Sequence, residues 1–304
     1  MDNHAKNKSI NSKKSFIISP SKKENMKIYC YKFSRNKLSI IGLIIVAACF
    51  LLAIFAEYIT PFPEHSREFV DYANASQAPN SIYWFGTDIF GRDIFSRVIF
   101  SYRGAIKMSI IVLCISVPVG VLTGLIAGYY NGKKISTVIM RITDIFLSIP
   151  PLILALSVAS LLEPNMTNSM IAITISWWPW YTRLVYGMSV SLRNEYFVKN
   201  AELIGASRLH ILIKEILPNC LSPVYTKIAL DVGWVILQGA ALSFVGLGEQ
   251  PPIPAFGQMI SDGTKYMPDM WWMTIYPSLA VAFMIVGFNF LGDGIRDMFD
   301  KGRQ

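Results

Sequence analysis

Charge is what this sequence has least of. Only 16% of its 304 residues are Asp, Glu, Lys or Arg, against about 25% in ordinary soluble domains. Hydrophobic residues make up 53%, so an ordinary soluble domain is excluded and a membrane protein is expected. The four cysteines (Cys30, Cys49, Cys114, Cys220) and three histidines (His4, His65, His210) are dispersed. No pair has ligand spacing, so neither a zinc site nor a disulfide framework is supported. Cys49 and Cys114 lie inside apolar runs, where a thiol is a small packing residue. A glycine-rich loop ending in Lys-Ser/Thr is missing, so no nucleotide site of that kind is encoded. Ser/His/Asp and Cys/His sets are missing as well. No cofactor or catalytic residue is expected, and work against a gradient would need an outside source of energy.

What is present is long apolar runs. A spanning helix needs about 20 mostly apolar residues. Six stretches qualify: about 38–59, 106–128, 136–161, 169–190, 223–245 and 273–291. The expected fold class is therefore all-α, a polytopic membrane protein with about six transmembrane helices. The first run is too long in its apolar core for a cleaved signal peptide, a basic tail precedes it, and no small-x-small cleavage site follows.

The basic residues give the chain a direction. Ten Lys and Arg lie in the first 37 residues, and 21 of the 28 fall on one side of the six-span scheme. Basic flanks favour the cytoplasm, so both termini and the segment between spans four and five are expected there, in a cell membrane. Topology thus accounts for the net charge of +8, and nucleic acid is not an expected partner. The expected organisation is 1–37 as basic tail and interfacial lead-in helix, 38–59 as first span and 60–105 as extracytoplasmic segment. A five-helix core (106–292) follows, with a cytoplasmic loop at 191–219, then a cytoplasmic tail (293–304). The Lys-, Ser- and Asn-rich tail cannot bury enough apolar surface to fold alone; it is either simply solvated or drawn to anionic lipid headgroups.

Several features break the pattern of plain spans. Asp144 lies inside the third run, where an acid must face protein or water. It is either held by a neighbouring span or by Arg141, or it lines a path. Pro150 and Pro151 should kink the same helix. Asp231 in the fifth run has Lys227 four residues before it, on the same helix face; an internal ion pair and a path-lining acid are both open. Trp177, Trp178, Trp180 and Tyr181 cluster about Pro179, either packing the core or lining a path. On the outer side, the later part of "YWFGTDIFGRDIFSRVIFSYRGA" reads as a helix lying on the membrane before the second span. The stretch 243–263 is too rich in Gly and Pro for a regular helix, and reads as a dipping loop near an outer gate or as a surface loop.

The stretch "KNAELIGASRLHILIKEILPN" (199–219) is polar, sits between two apolar runs, and is longer than a simple connection requires. It divides into two short helices about Gly205, and Pro218 marks the approach to the fifth span. This pattern resembles the coupling loop of ABC importer permeases, a small-residue helix, then Gly, then Ile-x-Pro-Asn. "WFGTDIFGRDIFSR", "DIFLSIPPLILA", "ALSFVGLGEQPPIPAFGQMISDG" and "FNFLGDGIRDMFD" resemble the second membrane subunit of the oligopeptide, dipeptide and nickel importers. The resemblance covers about residues 35–300.

The resemblance implies a type I ABC importer permease architecture. It implies a sister permease, two ABC ATPase subunits, an extracytoplasmic solute-binding protein, and peptides, metal chelates or sugars as cargo. The ATPase-coupling residues it implies are Val198, Lys199, Asn200, Ala201, Glu202, Gly205, Ala206, Ser207 and Pro218. Lys199 and Asn200 depart from the family's usual Glu and Ala, which reverses a charge at the expected docking surface; Glu202 stands close by. Path-lining candidates are Asp144, Trp177, Trp180 and Asp231. An ATP-independent secondary transporter or channel is the alternative, and a membrane scaffold or receptor a third reading. Inverted repeats would favour the secondary transporter, and no internal symmetry is evident.

Overall fold

The computed structural model describes residues 31–299. The basic tail before Tyr31 and the last five residues lie outside them; residues 31–35, the described end of the expected lead-in, are helical. Ten helices follow: α1 (Lys37–Ile54), α2 (Ala56–Ile59), α3 (Ile94–Tyr129), α4 (Lys134–Leu147), α5 (Pro151–Ala159), α6 (Met166–Arg193), α7 (Tyr196–Leu203), α8 (Arg208–Phe244), α9 (Phe256–Thr264) and α10 (Trp272–Phe299). Among the described residues there is no strand, only one isolated bridge between Thr87 and Asp93.

All six expected spans fall on helices, but not all as simple ones. α1, α3, α8 and α10 are long and apolar enough to cross a membrane. The third expected span is broken: α4 and α5 meet at 86°. The cause is local. Pro150 and Pro151 cannot donate backbone hydrogen bonds, and a residue before proline avoids helical angles. Pro151 then serves as a first-turn residue of α5, where no donor is needed. The fourth span lies in α6, whose 28 residues reach about 42 Å, although its Ser, Thr and Asn content leaves it less apolar than the other four.

The outer segment corrects one expectation. No separate surface helix precedes the second span; α3 starts at Ile94 and runs 36 residues without interruption. At about 54 Å it exceeds the roughly 30 Å of hydrocarbon, so its first turns project and carry the outer cap. Asp93 caps α3 through Ser96 N–H (2.8 Å) and Ser96 Oγ (2.6 Å). Burial raises its carboxyl against the lowering effect of those Ser96 bonds. The Asp93 N–H donates to His65 Nδ1 at 2.8 Å; burial lowers the imidazole below its ordinary value, which keeps that nitrogen an acceptor. Arg97 donates to the carbonyls of His65 (2.9 Å) and Pro252 (3.2 Å). Asp88 accepts from the Phe90 and Arg92 amides and from Arg92 Nε. The charged residues of the "TDIFGRDIFSR" motif therefore staple loops together. The stretch 243–263 is also more regular than expected: after a loop, α9 forms a buried nine-residue helix across the ends of α8 and α10.

Two close approaches hold the bundle. Gly120, Gly124 and Gly128 form a stripe on α3, four residues apart, against α6. A side chain at Gly124 would meet Thr182 O at 2.7 Å and Val185 Cβ at 2.9 Å; one at Gly120 would meet Trp178 O at 2.6 Å. Between apolar helices in lipid, such small-residue seams supply association by backbone contact. The second approach joins α1 to α10, where Gly42, Gly287 and Gly294 lie on the other helix. Asn36, which caps α1 through the Leu38 amide, also donates to Asp297 Oδ2 at 2.9 Å. The start of α1 and the end of α10 thus share one end of the bundle.

Gly124→Leu is expected to lower the thermal midpoint of the detergent-solubilised protein, since overpacking a tight contact costs about 1–3 kcal/mol or more. Gly187→Leu, on the open side of α6 where an added Cβ meets nothing within 4 Å, is the matched control. Equal midpoints for the two variants would remove the seam from this account.

Candidate functional site

The elbow between α6 and α8 is built from its glycine outward. α7 ends in a left-handed residue, Gly205, at φ +81°. The Ala206 amide donates to Ala201 O (3.0 Å) and the Gly205 amide to Glu202 O (3.1 Å), the paired pattern of a Schellman cap. Ser207 then caps the next helix through the His210 amide at 3.3 Å. α8 opens with a wide π turn over Ile211–Ile216. Pro218 follows directly; it has no N–H to offer the carbonyl four residues back, and such wide turns mark places where an α ladder is interrupted.

One face of this elbow is seated. Val198 and Ala201 of α7 are buried with Ile211 and Ile216, and Leu192 and Ala206 pack against the same cluster. Tyr129, at the end of α3, donates from its hydroxyl to Glu202 Oε1 at 3.2 Å, and the Arg193 guanidinium lies 5.2 Å from the Tyr129 ring. Arg208 lies over Tyr130 at 5.9 Å. Two helices and a collar of aromatic and cationic groups thus fix the elbow to the bundle.

The other face is bare. Lys199, Asn200, Glu202, Gly205, Ser207 and Pro218 are exposed, and Ala206 is half-buried. Between the charges stand Leu203 and Ile204, 84% and 85% exposed, with Leu209 at 67%. Sequence reasoning missed these three. The available signal was that they are apolar residues in a polar connection. Two of the coupling residues that the resemblance implies, Val198 and Ala201, have their side chains buried in the bundle. Glu202 is engaged by Tyr129, and Lys199 stands apart from it with no ion pair among the described residues.

The four path candidates separate into two groups. Trp177 and Asp231 come together between α6 and α8, where Trp177 Nε1 donates to Asp231 Oδ2 at 2.9 Å. Lys227 Nζ lies 3.0 Å from the same carboxylate and over the rings of Tyr181 (5.3 Å) and Trp180 (5.9 Å). Trp177 and Asp231 are both buried. Asp231 is thus enclosed in an ion pair with Lys227. Asp144 and Trp180 are partly exposed. Asp144 pairs with Arg183 of α6, a neighbouring span, and not with Arg141. At the end of the bundle away from the elbow a cavity of about 270 Å³ lies among α3, α8 and residues 249–257, lined in part by Arg103, Lys107 and Glu249. Among the described residues no cluster of His, Cys, Asp and Glu is arranged to hold a metal ion.

Comparison with known proteins gives this geometry a context. The family described as "Binding-protein-dependent transport system inner membrane component" matches residues 120–304, and the "N-terminal TM domain of oligopeptide transport permease C" matches residues 27–79. A dipeptide transport system permease protein of Alkalihalophilus pseudofirmus is 39% identical over 88% of this chain and 87% of its own length. A probable D,D-dipeptide transport system permease protein of Escherichia coli is 35% identical over 87% and 88%. A glutathione transport system permease protein of Pectobacterium atrosepticum is 31% identical over 88% of both. Among solved structures, an inward-facing conformation of the MetNI methionine ABC transporter superposes with a TM-score of 0.55 at 17% identity, over 68% of this chain and 98% of that one; this likeness concerns the fold alone. The chain belongs to the family of inner-membrane components of binding-protein-dependent transport systems, and is a permease subunit of an ABC importer.

Proposed function

We propose that this chain forms, with a sister permease, a translocation path for small peptides. An extracytoplasmic solute-binding protein delivers the cargo, and two separate ABC ATPase subunits drive the cycle through the elbow. Both termini and the elbow lie on the cytoplasmic side of the cell membrane. The names of the relatives support small peptides over the metal chelates and sugars that the resemblance also allowed. Family membership speaks against the ATP-independent alternative.

One observation carries the coupling role: an elbow seated on one face and apolar on the other. Leu203, Ile204 and Leu209 project from a polar segment, which suits anchors entering a partner's groove. Val198, Ala201, Ile211 and Ile216 supply the opposite requirement, a rigid connection to α6 and α8. A partner can shift this subunit between two states only by binding them unequally. A rigid elbow meets that condition, because a loose one would follow its groove without moving the spans. Glu202, held by Tyr129, and Ala206 and Ser207, which complete the turn, position the anchors. Lys199 and Asn200 lie on the rim, where charge alters association rate and salt dependence more than final affinity.

Two outcomes are expected in the reconstituted transporter. Gly205→Asp places a side chain and a charge at a left-handed position; ATP-dependent uptake should fall by about tenfold or more, since each ~1.4 kcal/mol of lost docking is tenfold in affinity, while insertion and pairing with the sister permease persist. Normal uptake by that variant would sink the coupling role. Ile204→Asp should reduce co-purification of the ATPase to a similar extent, and a cysteine at Leu203 should crosslink to the ATPase subunit. A crosslink to any other component instead would move the elbow to a different interface.

A further inference from the structure

Asp144 stands ten residues from the start of α4, and Arg183 ten residues before the end of α6. Both starting points lie at the elbow end of the bundle, so at 1.5 Å per residue each charge is about 15 Å in. Both charges thus lie well inside helices that the expected spans cover. Yet the pair is open on this chain: the side chains are 42% (Asp144) and 49% (Arg183) exposed. An ion pair half-open at that depth does not face lipid; it faces protein or water.

The helices around it agree. Along α4, Lys134, Thr137, Arg141, Asp144 and Ser148 recur at three and four residues and form one polar stripe; all but the half-exposed Asp144 are exposed. Along α6, Trp180, Arg183, Gly187 and Ser191 are exposed on the side away from the α3 seam. Gly187 has open space beyond its Cα. Exposed positions on both helices thus run from the elbow end up to the charge pair. At the level of the pair the character changes to aromatic, with Phe146 and Trp178 edge to face at 5.6 Å and Trp180 beyond. One carboxylate and one guanidinium, on two different helices, thus meet close to the 86° break of the α4–α5 pair.

We infer that the Asp144–Arg183 pair reads the termini of a passing peptide, Arg183 taking its carboxylate and Asp144 its ammonium group. This rests on the peptide reading above. The chemistry follows from the pairing itself. Among the described residues each of the two charges has only the other as an ion-pair partner. Separating them leaves both uncompensated unless the cargo brings one charge of each sign, and a guanidinium suits a carboxylate in bidentate geometry. A zwitterion exchanges partners with the pair and passes, while a solute lacking either end leaves one charge bare at low dielectric. Arg183 and Asp144 are thus specificity-determining positions for transport.

The test uses the full transporter, with sister permease, ATPases and binding protein, in proteoliposomes. Uptake of labelled dialanine is compared with that of its C-terminal amide and its N-acetyl form. The binding protein is the same throughout, so its own preference cancels when each ratio is divided by the wild-type ratio. Arg183→Gln should lower dialanine uptake by about tenfold, the scale of one lost charge-assisted hydrogen bond, and shift the amide-to-dialanine ratio upward by several-fold. Asp144→Asn should do the same for the acetyl form. The double variant D144N/R183Q leaves no bare charge, so it assembles even where a single variant does not, and it should shift both ratios. Ratios that stay at the wild-type values, whether total uptake falls or not, make the pair a clamp between helices and overturn the inference. A wild-type complex that takes up none of the three solutes would instead overturn the peptide reading.

Discussion

The seam between α3 and α6 is the contact on which the rest depends. Three glycines on α3 bring its backbone against Trp178, Thr182 and Tyr186 of α6. No side chain separates the helices there, so α6 cannot rotate without losing that contact. Its rotation decides everything else it carries. Trp177 is aimed at Asp231 on α8, Arg183 and Trp180 are left on the open side, and Arg193 is delivered to Tyr129 at the elbow. In lipid there is no hydrophobic drive to bring helices together, so this fit and the few polar bonds across it carry the association.

Polar groups inside the bundle then divide by burial. Asp231 has three neighbours that satisfy or screen it, namely Lys227, Trp177 and the aromatic ring of Tyr181 below the ammonium. A buried acid so enclosed specifies how α6 and α8 meet. Asp144 has one partner and an open side. The same residue type on two helices thus differs in exposure. The "TDIFGRDIFSR" motif shows the same logic: Asp88 and Asp93 accept from backbone amides as well as from Arg92 and Ser96 side chains, and Arg97 donates to the carbonyls of His65 and Pro252, which ties loops to the start of α3.

Much of this was legible from residues alone. Run lengths located the long helices, because hydrocarbon thickness sets helix length. The two prolines announced the α4–α5 break, and i−4 spacing announced the Lys227–Asp231 pair. The glycine in "ELIGAS" announced the turn after α7. What was not legible involved distance in sequence. Asp144 finds Arg183 thirty-nine positions away, and no local pattern distinguishes that partner from Arg141, one turn off. Which face of α7 is seated depends on Ile211 and Ile216, across the glycine turn. The outer lead-in was misread because its alternating polarity matched a surface helix, whereas its polar residues are buried against the loops they tie down. The compact α9 was obscured by glycines that permit close packing as readily as they permit disorder.

α8 is one continuous helix of 37 residues from the elbow to the outer loops. At its far end the Ser169 hydroxyl of α6 grips the Leu247 carbonyl at 2.8 Å, and at its near end the π turn is its only departure from α-helical winding. Bending is easier at that wide turn than along regular α-helix, because the hydrogen-bond ladder is interrupted there. A single helix joins the elbow to the loop that follows residue 244, with no second element between them.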